Sequence, residues 1–149
     1  MRTIRTLLLA TVLVGAAVPA HAQTTDPLEG VWLADQYLLA GGHEHPVAGQ
    51  IFFTDGRWQV LFFVMDADGA ALRGSAEGGT YDRTSDGLVF THLHNLSVGE
   101  AMPGLAAADL RMVTRDPAGA PREPTEIAID GDVLTLHFPS GNRMLFQRG

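Results

Sequence analysis

A chain of 149 residues with ten basic and 17 acidic side chains has a formal net charge of −7, which disfavours nucleic acid and anionic lipid as partners. All ten basic residues are arginine and there is no cysteine, so Schiff-base lysine chemistry, thiol nucleophiles and disulfides are excluded.

The chain opens with Arg2 and Arg5, an almost unbroken apolar run over 7–18, Pro19, and the small-residue pattern Ala20-His21-Ala22. This predicts a signal peptide over 1–22, cleaved after Ala22, and a domain over 23–149. The apolar run is shorter than the roughly 20 residues that span a bilayer, so no stable membrane insertion is expected after cleavage. With no cysteine to acylate and no Arg-Arg pair, ordinary export to a periplasmic or secreted location is expected. Cleavage removes two arginines and no acid, leaving 127 residues at a formal charge of −9. That length supports one domain with one core. Without disulfides the core alone must hold the fold, which favours a closed β-structure over a small stapled scaffold.

Along the domain, short β-branched, aromatic and aliphatic runs alternate with Gly, Asp, Asn and Pro. Residues 30–39 form the first predicted strand. Residues 50–53 and 57–65 flank Thr54-Asp55-Gly56 as a hairpin with an Asp-Gly turn. Strands follow at 79–82, 88–94 and 110–114. Residues 126–129, 133–138 and 142–147 then make a three-stranded meander through Asp130-Gly131-Asp132 and Pro139-Ser140-Gly141. The Ala-rich stretch over 98–109 and the turn near 67–73 read as loops at a barrel mouth, and 116–124, with three prolines, as an exposed connection. About nine strands predict an all-β, closed, antiparallel up-and-down barrel of eight or nine strands.

Gly30-Val31-Trp32 begins the first strand and Phe146-Gln147-Arg148 ends the last. In such a barrel these strands are neighbours, so Trp32 can plug the closed end while Arg148 lies across its face; an ordinary core tryptophan and a surface arginine are the alternative. In order along the chain, these are joined by Pro46-x-x-Gly49-Gln-Ile-Phe-Phe-Thr-Asp-Gly56, Gly78-Gly-Thr-Tyr81, Phe90-Thr-His92 and Gly131-Asp-Val-Leu-Thr-Leu136. Together they resemble the bacterial lipocalin-like domain family of the calycin barrels, over nearly all of the domain. The resemblance implies a ligand cavity and makes His92 the matching histidine of a strand motif. The chain departs from the family pattern in a shortened segment over 65–78 and an Ala/Gly/Pro-rich stretch over 99–124.

Four histidines come as His43-Glu44-His45 and His92-Leu93-His94. Strict strand alternation puts His92 and His94 on one face, together with Leu88 and Phe90. If His43 and His45 approach, the imidazoles could share a divalent metal; otherwise His92 and His94 hydrogen-bond within or beside a cavity and His43-Glu44-His45 is a solvated loop. No organic cofactor is expected. Tyr81 either supplies a hydroxyl beside His92 or packs its ring. On the strand holding His137, either the Val133/Thr135/His137 face or the Leu134/Leu136/Phe138 face points inward. Serine-nucleophile and phosphate-loop contexts are absent, and Asp66, Asp68 and Gly69 read as a turn. The expectation is a binding protein for a small, mainly apolar ligand, with His92, His94, Tyr81, Phe90 and Trp58 as candidate ligand contacts. The alternative is a small enzyme using cavity histidines for proton transfer, cyclisation or metal-assisted chemistry.

Overall fold

The computed structural model describes residues 26–149, so the predicted signal peptide lies outside the described residues. These residues form nine strands: β1 (Gly30–Leu38), β2 (Glu44–Thr54), β3 (Arg57–Met65), β4 (Ala71–Arg83), β5 (Gly87–Gly99), β6 (Ala108–Thr114), β7 (Arg122–Asp130), β8 (Val133–His137) and β9 (Arg143–Arg148). Eight of them close an antiparallel up-and-down barrel in the order β1-β2-β3-β4-β5-β7-β8-β9, with β9 returning to β1. β6 is additional. Residues 87–91 of β5 pair with β7, whereas 94–99 pair with β6.

Alternation drives most of the wall. On β3, Trp58, Val60 and Val64 are buried while Arg57, Gln59 and Leu61 are exposed. On β8, Leu134 and Leu136 enter the core, which puts His137 on the outer face. Phe53 is a core residue and Phe62 packs against the core, leaving Phe52 and Phe63 on the outer face. The tight β2–β3 connection has Asp55 and Gly56 both at positive φ, 46° and 70°, the conformation that suits the right-handed twist of a hairpin.

One end of the barrel is plugged. Trp32, Leu28, Leu134 and Phe146 have no solvent exposure, and Trp32 Nε1 donates to the Leu28 carbonyl at 2.8 Å. The Arg148 guanidinium lies 4.0 Å from the Trp32 ring centroid and donates to the Pro27 carbonyl at 2.6 Å. This contact ties the last strand to the segment crossing the plugged end, and a cation over an indole adds about 0.5–2 kcal/mol. At the other end, Arg73 Nη1 donates to the Glu100 and Ala106 carbonyls at 2.5 and 2.7 Å, and His45 Nε2 donates to the Pro103 carbonyl at 2.9 Å. These bonds hold the 100–107 connection over the rim.

Four segments differ from their expected form. β2 begins at Glu44 rather than at 50, so Glu44 and the buried His45 are strand residues and not a solvated loop, and β5 runs on past 94 to Gly99. β4 extends back to Ala71 through a Gly/Ala/Ser-rich stretch of low strand propensity, because β3 and β5 supply partners along its length. β7 begins at Arg122, inside the segment expected to be an exposed connection. Pro124 is accommodated there on an exposed position.

The β4–β5 pairing contains a bulge. Gly79 lies opposite His92 and Gly78 opposite His94, so Leu93 is left without a partner. Before the bulge β5 sends Leu88, Phe90 and His92 inward; beyond it Asn95 and Ser97 stand opposite Glu77 and Ser75, and the inward positions change parity. A Cβ on Gly79 would sit 1.9 Å from the Thr91 carbonyl oxygen, so the close approach requires glycine. Gly79→Ala is therefore expected to lower unfolding free energy by about 3 kcal/mol, the upper part of the usual range for overpacking. Gly41→Ala, which meets no atom within 4 Å, should change it by less than about 1 kcal/mol. Urea titration of both variants measures the contrast.

Candidate functional site

A cavity of about 230 Å³ opens above the plugged core. Ile51, Val60, Leu136, Met144 and Phe146 form its apolar walls, with Trp58 and Phe90 packed together at 4.6 Å between ring centroids. Glu77 of β4, His92 of β5 and Glu123 of β7 line the cavity together. Adjacent pairing of these three strands gathers the charged groups on one side of an otherwise mostly apolar chamber.

His92 is the centre of this arrangement. Its Nδ1–H donates to Glu77 Oε2 at 2.9 Å, and the ring stands edge-on to Trp58 at 5.1 Å between centroids. The Ser75 hydroxyl donates to the other Glu77 oxygen at 3.1 Å. Because a carboxylate can only accept, the neutral imidazole keeps its proton on Nδ1 and presents Nε2 as an acceptor. That Nε2 is buried, and no donor among the described residues reaches it. Glu123 Oε1 lies 4.0 Å away, beyond hydrogen-bond distance. An unpartnered buried acceptor costs roughly 1–3 kcal/mol.

The two glutamates are driven in opposite directions. Burial works against the charge of Glu77, but the hydrogen bond and charge of His92, with the Ser75 hydroxyl, outweigh it and hold the carboxyl below the ordinary glutamate value. Burial pushes Glu123 upward, and its repulsion by Glu77 adds to the shift against the opposing attraction of His92. Glu123 therefore keeps its proton at higher pH than an exposed glutamate. At the upper side, Asn142 Nδ2 donates to the Tyr37 hydroxyl at 2.9 Å, and burial raises the pKa of that phenol.

The proposed site residues separate. Trp58, Phe90 and His92 line this cavity. Tyr81 packs lower, edge-on to Phe53 at 5.5 Å, and is a core residue outside the cavity lining. His94 is on the outer surface beside Thr114, because the Leu93 bulge breaks the alternation that would have put it next to His92. His43 and His45 sit at the far rim in a different depression, with His45 committed to Pro103. The four histidines thus do not gather at one point, and no group of three or more His, Asp or Glu side chains is placed to hold a metal among the described residues.

Glu77, Glu123 and Tyr37 were not among the expected site residues. Glu77 lies two residues from Gly79 and four from Tyr81 on an alternating strand, which is the pattern that places it on their inward face. Glu123 lies between Arg122 and Pro124, where proline composition obscures strand character.

The fold and cavity define a class, a small closed antiparallel barrel consistent with a calycin-like architecture. Comparison of the chain with family models, curated proteins and solved structures finds no match.

The opposed shifts have opposite consequences for stability. The lowered Glu77 pKa contributes stability that is present above the ordinary glutamate value and lost as pH falls through the folded one. For Glu123, the raised value means that stability present below the ordinary pKa is lost as pH rises through the folded one. At about pH 7, Glu77→Gln should cost about 1–2 kcal/mol as a charged hydrogen bond weakens, whereas Glu123→Gln should raise Tm. Both differences should shrink toward about pH 3 in a series of thermal melts.

Proposed function

We propose that this protein is an exported, lipocalin-like barrel that binds a small, mainly apolar ligand carrying one polar oxygen. The observation that supports this reading most strongly is the buried His92 Nε2, an acceptor that finds no donor among the described residues, beside a mostly apolar cavity. A donor on the ligand would offset the penalty of burying that acceptor, while the aromatic and aliphatic walls take up the remainder of the molecule. The cavity, at about 230 Å³, is smaller than the roughly 300–1,000 Å³ typical of sites for drug-sized ligands, which favours a single-ring compound. The leader composition supports a periplasmic or secreted setting, and the order of motifs from Gly30 to Arg148 supports the lipocalin-like assignment.

Trp58 supplies the readout because it lines the cavity, whereas Trp32 is sealed in the plugged end. Titration with 4-ethylphenol should change tryptophan fluorescence saturably. His92→Leu should weaken that binding by about tenfold, the value of one hydrogen bond of roughly 1.4 kcal/mol, and leave ethylbenzene binding within about twofold. Absence of saturable binding by both compounds, or equal losses for both in the variant, would contradict the proposal. Native mass spectrometry of protein purified from its own host then reads the mass of the natural ligand.

A further inference from the structure

We infer that the Glu77–His92–Glu123 wall is a proton-transfer site that enolises a small cyclic ketone, with His92 as base and Glu123 as the donor to the carbonyl oxygen. The inference rests on the ligand-binding reading above and adds a reaction to it. His92 lines the cavity and has two features a general base needs, an Nε2 acceptor that no donor among the described residues occupies and a carboxylate behind the ring. Proton uptake at Nε2 makes an imidazolium whose Nδ1–H already points at Glu77, so the new positive charge forms beside an existing negative one. Glu77 acts through His92 and is a positioning residue.

The spacing suits a carbonyl and its neighbouring carbon. Ordinary bond lengths put a ketone oxygen about 2.4 Å from its α-carbon. An α-carbon about 3–3.5 Å from Nε2 and a carbonyl oxygen about 2.7 Å from Glu123 close a four-sided figure on the 4.0 Å gap between Nε2 and Oε1. Apolar walls beside this gap and the burial of Nε2 reduce the water that would weaken the charge interactions, while the Glu123 carboxyl, with its side chain 37 % exposed, stays in contact with solvent. The opposed displacement of the two carboxyl groups runs in the directions this division of labour requires, with Glu77 keeping its charge to lower pH and Glu123 its proton to higher pH than an exposed glutamate.

In the forward step the α-C–H bond breaks and its proton forms an N–H bond at His92 Nε2. The electron pair becomes the carbon–carbon π bond while the carbonyl π pair moves to oxygen, which accepts a hydrogen bond from protonated Glu123. Once the Nε2 proton has exchanged with solvent, its return from His92 to the same carbon regenerates the ketone with its hydrogen exchanged. If the substrate has a β,γ double bond, return at the γ-carbon moves that bond into conjugation. Both outcomes are redox-neutral and need no co-reactant. A phenol is a permanent enol, so 4-ethylphenol should compete with the ketone.

The test is α-hydrogen exchange of cyclohexanone in deuterated buffer, followed by NMR with the intact protein, together with cyclohexanone binding read from Trp58 fluorescence. Exchange should exceed the buffer rate, saturate with ketone and be inhibited competitively by 4-ethylphenol. His92→Gln should lose at least about a hundredfold in rate while retaining cyclohexanone binding, as expected when a general base is removed. Glu77→Gln should lower kcat with KM changed by less than about twofold, a split that a fold defect would not produce. Wild-type binding of cyclohexanone with exchange at the buffer rate would overturn the catalytic inference and leave ligand binding standing. Failure of both cyclohexanone and 4-ethylphenol to bind would instead overturn the binding reading, and the inference with it.

Discussion

The close approach of Gly79 to the β5 backbone is the constraint on which the candidate site depends. With Thr91 O where a Cβ would otherwise lie, β4 and β5 come together only through glycine, and β5 absorbs the extra residue Leu93 as a bulge. Two results follow from one local irregularity. His92 stays inside, facing Glu77, and His94 is turned to the outer surface. An unbroken ladder would instead have put His94 on the inward face beside His92, in place of the Asn95 and Ser97 positions that continue the wall.

The barrel separates tasks along its length. Its plugged end is apolar and sealed by Trp32, Leu28 and Phe146, with Arg148 binding the crossing segment from outside. Above that base, Glu77, His92 and Glu123 occupy the wall formed by β4, β5 and β7, while β2, β3, β8 and β9 supply apolar surface to the same cavity. Partial burial of these three side chains, with Glu123 the most exposed, strengthens their charge interactions relative to a fully solvated surface. The destabilised Glu123 and the unpartnered His92 Nε2 are groups that stability alone would not select.

The fold was largely legible in the sequence because its signals are local. Alternation over 57–65, the Asp55-Gly56 turn and the final meander are sufficient to define strands, and Trp32 and Arg148 mark the two strands that meet at closure. The lengths of β4 and β7 were less legible, since Gly, Ala and Pro become strand residues there only through neighbouring partners. The site was half legible. His92, Phe90 and Trp58 stood out by residue type, but the bulge that separates His92 from His94 is a product of tertiary pairing, and no periodic pattern announces it. Glu77 and Glu123 lie 46 residues apart in number and meet His92 only because β5 is bordered by both β4 and β7.

The central claim is that Glu77 fixes His92 with Nδ1 protonated and leaves Nε2 an unprotonated acceptor in the cavity wall. Long-range proton–nitrogen correlation NMR of the His92 ring, recorded where the imidazole is neutral, tests it most directly. The account predicts a protonated Nδ1 and an unprotonated Nε2, with the Nδ1 tautomer reduced in Glu77→Leu. A neutral ring protonated at Nε2 in the unaltered protein would contradict it.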